Sequence, residues 1–153
     1  MSDVKKETKG ASLRETLGME GKKDAVVADC VVLVDEEVAS KKGVSSIPVK
    51  TGYRLVKGIK PGFVAMAVER LLPDFAGALD PFWQAGLASK DPAGHLLDQQ
   101  SEAAEALLTV TDERIDQASG PVKGAYKRLR ATAKKHVEAA MPRLAKLLEK
   151  HAG

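Results

Sequence analysis

The last 33 residues of the chain carry the pattern that most restricts its fold. Apolar side chains recur there at steps of three and four residues, the repeat of a helix that packs along one face. This C-terminal stripe comprises Val122, Tyr126, Leu129, Ala133, Val137, Ala140, Leu144 and Leu147. Pro142 lies within the predicted helix, and proline removes a backbone hydrogen bond and clashes with the preceding turn. We therefore expect a kink or break near Val137 to Met141.

Charge divides the second half of the chain into two adjacent segments. Residues 74–120 contain nine acids and two bases, a net charge of −7, whereas residues 121–153 contain nine bases and two acids, a net charge of +7. The connection Ser119-Gly120-Pro121 is short, and short connections favour antiparallel neighbours. We therefore expect the last two helices to form a long antiparallel hairpin of opposite charges. A nucleic acid, an anionic membrane or another partner are the alternative targets of the basic segment.

The first half of the chain also shows helical spacing. Residues 22–41 place four valines, from Val27 to Val38, at steps of three and four. A strand would place Asp29 and Asp35 on its apolar face, so the pattern favours a helix. This helix is expected to end near Gly43, after two lysines that suit the negative end of its dipole.

Proline and glycine mark the ends of the remaining predicted helices. Proline stops a helix that runs into it but fits the first turn of the next one, and an aspartate before it caps that turn. The expected helices are one from Ser45 or Ser46 to about Lys60, a short one from Phe63 to Leu72 that Pro73 ends, and new starts at Asp80-Pro81 and Asp91-Pro92. The predicted fold is all-α, a compact bundle of about five or six helices.

The length and the N-terminal sequence indicate one domain. A chain of 153 residues lies in the usual range for a single core. Residues 1–20 begin with charged and polar side chains and no apolar signal segment, so they are predicted to be a disordered or loosely ordered tail before a helical domain at 21–153. The single cysteine, Cys30, lies in an apolar run and is expected to fill the core, as in proteins of a reducing compartment. These features predict a cytoplasmic protein without a transmembrane segment.

Motifs for catalysis and metal binding are missing from the sequence. It has no phosphate-binding glycine loop, no serine nucleophile motif and no His-Glu-x-x-His pattern. The three histidines, His95, His136 and His151, are far apart and are expected to be exposed on helices. We predict no catalytic residue, no metal and no cofactor.

A basic stripe is the strongest binding signal. Lys50, Arg54 and Lys57 follow at helical spacing, with Tyr53 and Lys60 beside them. Such a stripe can contact phosphates while the tyrosine stacks on a base. The simpler interpretation, a solvated helix face, is favoured.

The aromatic residues are few and concentrated. Phe63, Phe75, Phe82 and Trp83 are expected to anchor the core. The same side chains with Met66 offer an alternative, an apolar ligand pocket.

Several short runs resemble a known family. Between Asp24 and Trp83 the chain contains AVVAD, VDEEV, VKTGY, VKGIKPG and LPDF. These runs resemble a family of small bacterial proteins known only as a domain of unknown function, best over residues 24–90. The resemblance implies a bacterial cytosolic protein with one helical domain. It assigns no catalytic or binding residues.

Three functions remain open. The leading hypothesis is a non-enzymatic helical interaction or scaffold domain that binds a protein partner or a second copy of itself. The second is a nucleic-acid-associated protein that uses the basic stripe. The third is a carrier or enzyme with an unrecognised apolar pocket.

Overall fold

The computed structural model describes residues 12–43, 46–118 and 120–152, and every regular element in these ranges is helical. The all-α prediction is therefore confirmed. Seven α-helices lie in the described residues, compared with the five or six expected. They are α1 Leu13–Leu17, α2 Lys23–Ser40, α3 Ile47–Lys57, α4 Phe63–Ala88, α5 Pro92–Asp98, α6 Gln100–Arg114 and α7 Gly120–Ala152, with a 3-10 turn at Ile115–Gln117 before α7.

Helix α4 runs through two prolines that were predicted to end or start helices. Pro73 and Pro81 both lie inside it, on the exposed side. An interior proline costs roughly 3 kcal/mol. The opposite side of α4 carries a continuous buried stripe of Leu72, Ala76, Leu79, Trp83 and Gly86. Burying a large apolar side chain contributes about 1.5–3 kcal/mol, so the stripe outweighs both prolines and keeps one helix where several were expected.

Helix α7 is also continuous. It runs through Pro142, so the helix does not break near Val137 to Met141, and a kink there, the other outcome expected, stays a prediction. Pro142 is exposed, whereas Met141, Ala145 and Leu148 beside it are 0–3% exposed. Burial of these neighbours maintains the helix on both sides of the proline.

Residues 12–20, where a loosely ordered tail was expected, carry helix α1. Ser12 caps it: its hydroxyl accepts from the Glu15 N–H at 3.1 Å, and the Glu15 carboxylate receives the Ser12 N–H in return. Leu13 and Leu17 are 1% and 2% exposed within the core. The Leu13 N–H also donates to Asp80 Oδ1 of α4 at 2.9 Å. The short helix is therefore held by its two buried leucines and by this hydrogen bond to α4. Residues 1–11 of the predicted tail lie outside the described residues.

The other helix boundaries agree only in part with those predicted from capping residues and prolines. Asp91 caps α5 by accepting the Gly94 N–H at 3.0 Å, as the Asp-Pro pair predicted. The long helix expected from Pro92 is instead divided at Gln99 into α5 and α6. Helix α3 begins after Ser46, which is one of the two predicted starts, and Ser45 lies outside the described residues.

Four helices form a ring. Helices α2 and α6 each contact both α4 and α7. The two longest helices, α4 and α7, therefore lie on opposite sides of the bundle with α2 and α6 between them. Helix α3 packs against α7, where Gly52 lies so close to Leu129 that an added Cβ would stand 2.9 Å from its Cδ1.

The junction between α4 and α5 provides a test of this packing. A Cβ at Gly86 would lie 2.4 Å from the Pro92 Cα, a backbone atom that does not move without shifting α5. We expect Gly86→Ala to lower the free energy of unfolding by about 1–3 kcal/mol, the usual cost of overpacking. Urea denaturation measures this difference.

The matched control is Gly124→Ala, at an exposed position of α7 with open space around it. It is expected to raise the free energy of unfolding by about 0.5–1 kcal/mol, since alanine is the better helix former. Equal stability of the two variants would contradict the packing at Gly86.

Candidate functional site

A cavity of about 330 Å³ lies within the ring of helices. Its walls come mainly from α2, α4, α6 and α7, and nearly all of the surface they present is apolar. Representative side chains are Val34 of α2, Phe75 of α4, Leu107 of α6 and Val137 of α7. We call this space the central cavity. Its volume is at the lower end of the ~300–1,000 Å³ range of small-molecule sites.

The C-terminal stripe supplies one wall of the central cavity. Val137, Ala140, Leu144 and Leu147 of that stripe all line it. The stripe was predicted to pack into the core, yet Val137, Ala140 and Leu144 are only half-buried. Part of the apolar surface that the heptad spacing identified therefore faces a space and not another helix.

Cys30 lies on the wall of the central cavity. It packs against the core and is partly buried, in agreement with the expectation of a core residue. Burial, with a smaller effect from the Asp29 charge, raises the pKa of the thiol from 9.0 to about 11. A neutral thiol in this position is a weak nucleophile.

Polar groups border the central cavity where α2 ends. Glu37, Lys41 and His136 all line it. The Lys41 ammonium is 3.2 Å from Glu37 Oε2, and both side chains are largely buried, with 15% and 13% exposed. Arg143 also donates from Nε to Glu37 Oε1 at 2.9 Å. A fourth polar residue of the wall, Thr111, already donates its hydroxyl to the Leu108 carbonyl.

His136 lies in a positive environment. Burial lowers the pKa of its imidazole, and the charges of Lys41 and Lys135 lower it further, against an opposing effect of Glu37. The ring is therefore held in its neutral form near pH 7. Two lysine charges lower the pKa of His136, and one carboxylate, Glu37, opposes them.

The predicted aromatic pocket overlaps the central cavity at one residue. All five side chains of that prediction belong to α4; Phe75 lines the central cavity, whereas Phe63, Met66, Phe82 and Trp83 do not. Met66 and Phe82 are separated by roughly 24 Å along the helix at 1.5 Å per residue, so the structure does not bring the two pairs together. Trp83 is 1% exposed in the core, and Phe82 packs against it from the edge.

The basic stripe lies on α3, but an acid of α2 engages part of it. The Tyr53 hydroxyl donates to Asp35, and burial followed by this bond raises the pKa of the phenol. The Lys57 ammonium is 3.7 Å from Asp35 Oδ1 and 5.2 Å from the centre of the Tyr53 ring. Arg54 and Lys60 are exposed and Lys50 is half-buried, and the described residues give none of them an ion pair. The sequence did not place Asp35 beside the stripe.

The basic residues of α7 pair with two different helices. Near its start, Arg130 donates to Asp112 of α6 at 2.9 Å, and Lys134 lies 3.7 Å from Glu105. Nearer its end, Arg143 donates to Glu36 and Glu37 of α2. The acidic segment 74–120 thus pairs with only some of the bases of α7, and acids of α2 pair with others.

None of the three histidines is exposed as expected: His95 and His136 are half-buried, and His151 is buried. His151 is 8% exposed, and its Nε2 lies 2.7 Å from Asp29 Oδ2. The Lys150 ammonium is 2.9 Å from the same carboxylate oxygen. Hydrogen bonds from Lys150 and then His151 lower the pKa of Asp29. This cluster joins the start of α2 to the end of α7.

The described residues contain neither of two further kinds of site, a metal centre and a membrane-spanning helix. No three His, Cys, Asp or Glu side chains within 12–43, 46–118 and 120–152 are grouped as a metal ion would need. Over the same ranges, no helix is long and apolar enough to cross a membrane.

Replacing Asp29 tests the cluster with His151. A carboxylate with a lowered pKa stabilises the fold above its unfolded pKa, and this contribution is lost as the pH falls through the folded pKa. Asp29→Asn should therefore lower the free energy of unfolding at pH 7, on the order of 1 kcal/mol for a partly exposed pair. The difference from wild type should shrink as the pH falls below about 4, the unfolded pKa, and should disappear only below the lowered folded pKa, where both chains carry a neutral side chain.

Denaturant titrations at pH 7 and pH 3.5 measure this effect. Asp98→Asn is the control, since Asp98 is exposed and the described residues give it no ion pair. A loss of stability at Asp29 that is independent of pH would contradict the electrostatic role.

Cys30 provides a kinetic test of its environment. Raising the pKa from 9.0 to about 11 reduces the thiolate fraction at pH 8 about 100-fold. The greater intrinsic reactivity of a high-pKa thiolate recovers at most about tenfold of this. Alkylation by iodoacetamide should be at least about tenfold slower in the folded chain than in urea. Equal rates would show that the thiol is exposed to solvent.

Comparison with known proteins gives a family but no function. No curated protein and no solved structure matches the chain. A family model described as a family of unknown function, DUF6918, matches residues 13–152. The match includes all seven described helices, from α1 to the end of α7. The resemblance seen in the sequence is confirmed: the chain belongs to this family of unknown function.

Proposed function

We propose that this protein is a non-enzymatic binding protein for an apolar small molecule, which it holds in the central cavity. The observation that carries the proposal is an apolar cavity of about 330 Å³ between four helices. The space is half-open, and its walls are apolar side chains that no other side chain of the described residues covers. Concave apolar surface of this kind is typical of a small-molecule site.

The exposure of these walls to water supports an occupant. Removing apolar surface from water gains about 25 cal/mol per Å². Water in the same space gains little, because an ordered water needs polar partners and the walls offer few. An apolar ligand that covers the walls gains this free energy.

The volume limits the ligand. If each non-hydrogen atom takes about 30 Å³, as a water molecule does, the central cavity holds roughly ten to fifteen of them. An aliphatic chain of about ten carbons fits this limit. The walls are formed by flexible aliphatic side chains such as Leu107 and Leu144, which suit a flexible chain better than a rigid ring system.

The other hypotheses from the sequence rank lower. Nucleic-acid binding loses support because Tyr53 and Lys57 are engaged with Asp35. A scaffold role stays a prediction, as do the bacterial origin and cytoplasmic location. The exposed large apolar side chains of the described residues are Met19, Val32, Ile47, Leu55, Leu87 and Leu97, of which only Ile47 and Leu55 share a helix.

The binding protein is proposed to be one domain with a hairpin at its C-terminal end. We infer an antiparallel arrangement of α6 and α7 because their ion pairs join Glu105 to Lys134 and Asp112 to Arg130. Residue numbers rise along one helix while they fall along the other. The same reasoning applies to α2 and α7, whose pairs run from Asp29 with Lys150 to Glu37 with Arg143.

Titration with decanol tests the proposed function. Burying ten carbons at about 0.8 kcal/mol each gives about 8 kcal/mol before the cost of association is subtracted, so the Kd is expected to be no tighter than about 1 μM. Calorimetry should show saturable binding of one decanol per chain. Ligand at 100 times its Kd should stabilise the fold by about 2.7 kcal/mol.

Matched variants locate the decanol. Ala140→Phe fills the central cavity and is expected to abolish binding, while Ala139→Phe places the same side chain on the exposed side of α7 and should leave binding unchanged. Absence of decanol binding to the wild type, or equal binding by both variants, would overturn the proposed function.

A further inference from the structure

We propose that the natural ligand is an aliphatic monocarboxylate whose carboxylate is bound by Lys41 and His136 at the polar border of the central cavity. This inference rests on the proposed function and adds the chemistry of the head group. Three observations support it: the position of the two side chains, the arrangement of charges around Glu37, and the size of the cavity.

The polar border is narrow and lies at one place. Lys41 follows the last residue of α2, and His136 lies on the facing helix α7. The proximity of the two is also seen in the effect of the Lys41 charge on the pKa of His136. The one other polar side chain of the wall, Thr111, already donates to the Leu108 carbonyl. A molecule with one polar end therefore has a single favourable orientation: its tail along the apolar walls and its head at Lys41.

Glu37 has more cationic partners than it needs. Its Oε1 accepts from Arg143 at 2.9 Å, while its Oε2 faces the Lys41 ammonium at 3.2 Å. If Lys41 turned to a ligand carboxylate, Glu37 would remain paired with Arg143. The ligand thus gains a charged hydrogen bond without leaving a partly buried acid unpaired, which is the usual cost of taking over one member of an ion pair.

The sign of the local charge favours an anion. Lys41, Lys135 and Arg143 surround the polar border, whereas Glu36 and Glu37 are the acids nearest to them. His136 supplies an imidazole that donates one N–H to a bound carboxylate. A cationic head group would instead have to compete with Lys41 and Arg143 for Glu37. A neutral alcohol would gain the apolar contacts alone.

The size of the central cavity sets the length of the chain. Room for roughly ten to fifteen non-hydrogen atoms matches a monocarboxylate of eight to twelve carbons. Longer chains would have to extend past the half-open border.

Three probes with the same ten-carbon tail separate the head group from the tail: decanoate, decanol and decylamine, each titrated by calorimetry into the full chain at pH 7.5 and low salt. The expected order is decanoate, then decanol, then decylamine, with decanoate binding at least about tenfold more tightly than decanol. Equal binding of decanoate and decanol, or tightest binding of decylamine, would overturn the head-group assignment while the proposed function stands. Failure of all three probes to bind would overturn both.

A pair of variants assigns the preference to Lys41. Lys41→Met keeps an apolar side chain of similar length without the charge, and is expected to reduce the preference for decanoate over decanol to within about twofold. Lys42→Met, at the exposed neighbouring position, should keep the full preference. Retention of the preference in Lys41→Met would overturn the role of Lys41. Decanol binding by that variant shows that its cavity is intact, and the wild-type comparison of the three probes decides the proposal independently of its folding.

Discussion

The ring of α2, α4, α6 and α7 depends on how α7 divides its side chains between packing and pairing. One side of α7 is fully buried at Met141, Ala145 and Leu148, which fixes the helix against the core. Its flanks carry bases that pair with α6 on one side and with α2 on the other. Individual partly exposed ion pairs contribute about 0–1 kcal/mol, so their main effect is to set which helices are neighbours and in what register. The buried side supplies the stability, and the charges supply the arrangement.

This division explains how a cavity persists inside the ring. Helices α4 and α7 face each other across the bundle and are held apart by α2 and α6, which each contact both of them. The ion pairs with α2 and α6 lie on the two flanks of α7. The side that carries Val137, Ala140 and Leu144 borders the open space. Closing that space would require α7 to move away from the acids that fix its register. The packing of α2 and α6 between the two long helices therefore keeps this space, and the ion pairs set the register of α7.

Local sequence patterns predicted most helices correctly. They failed where contacts between residues far apart in the chain determine the structure. The spacing of valines identified α2, and Asp91-Pro92 identified the start of α5, because spacing and capping act within one turn. Pro73 and Pro81 misled the prediction of α4, since the buried stripe that outweighs them is recognised only when the core is known. Helix α1 did have a local signal, the Ser12 and Glu15 capping box, which the charged sequence before it obscured. No local signal places Asp35 beside Tyr53 or leaves a gap among four helices.

The central cavity could not be predicted from the sequence either. Each residue that we assign to it was visible in the sequence under another interpretation: Val137 and Ala140 as core, Cys30 as core filler, His136 as an exposed histidine, and Lys41 as a helix-terminal lysine. Each interpretation was sound for a helix considered alone, because amphipathic spacing reports which side faces inward but not what the interior contains. A stripe that packs and a stripe that lines a cavity have the same periodicity. They differ in whether the opposite helix comes within contact distance, and here α2 and α6 set that distance by packing against both α4 and α7 through residues that lie far apart in the chain.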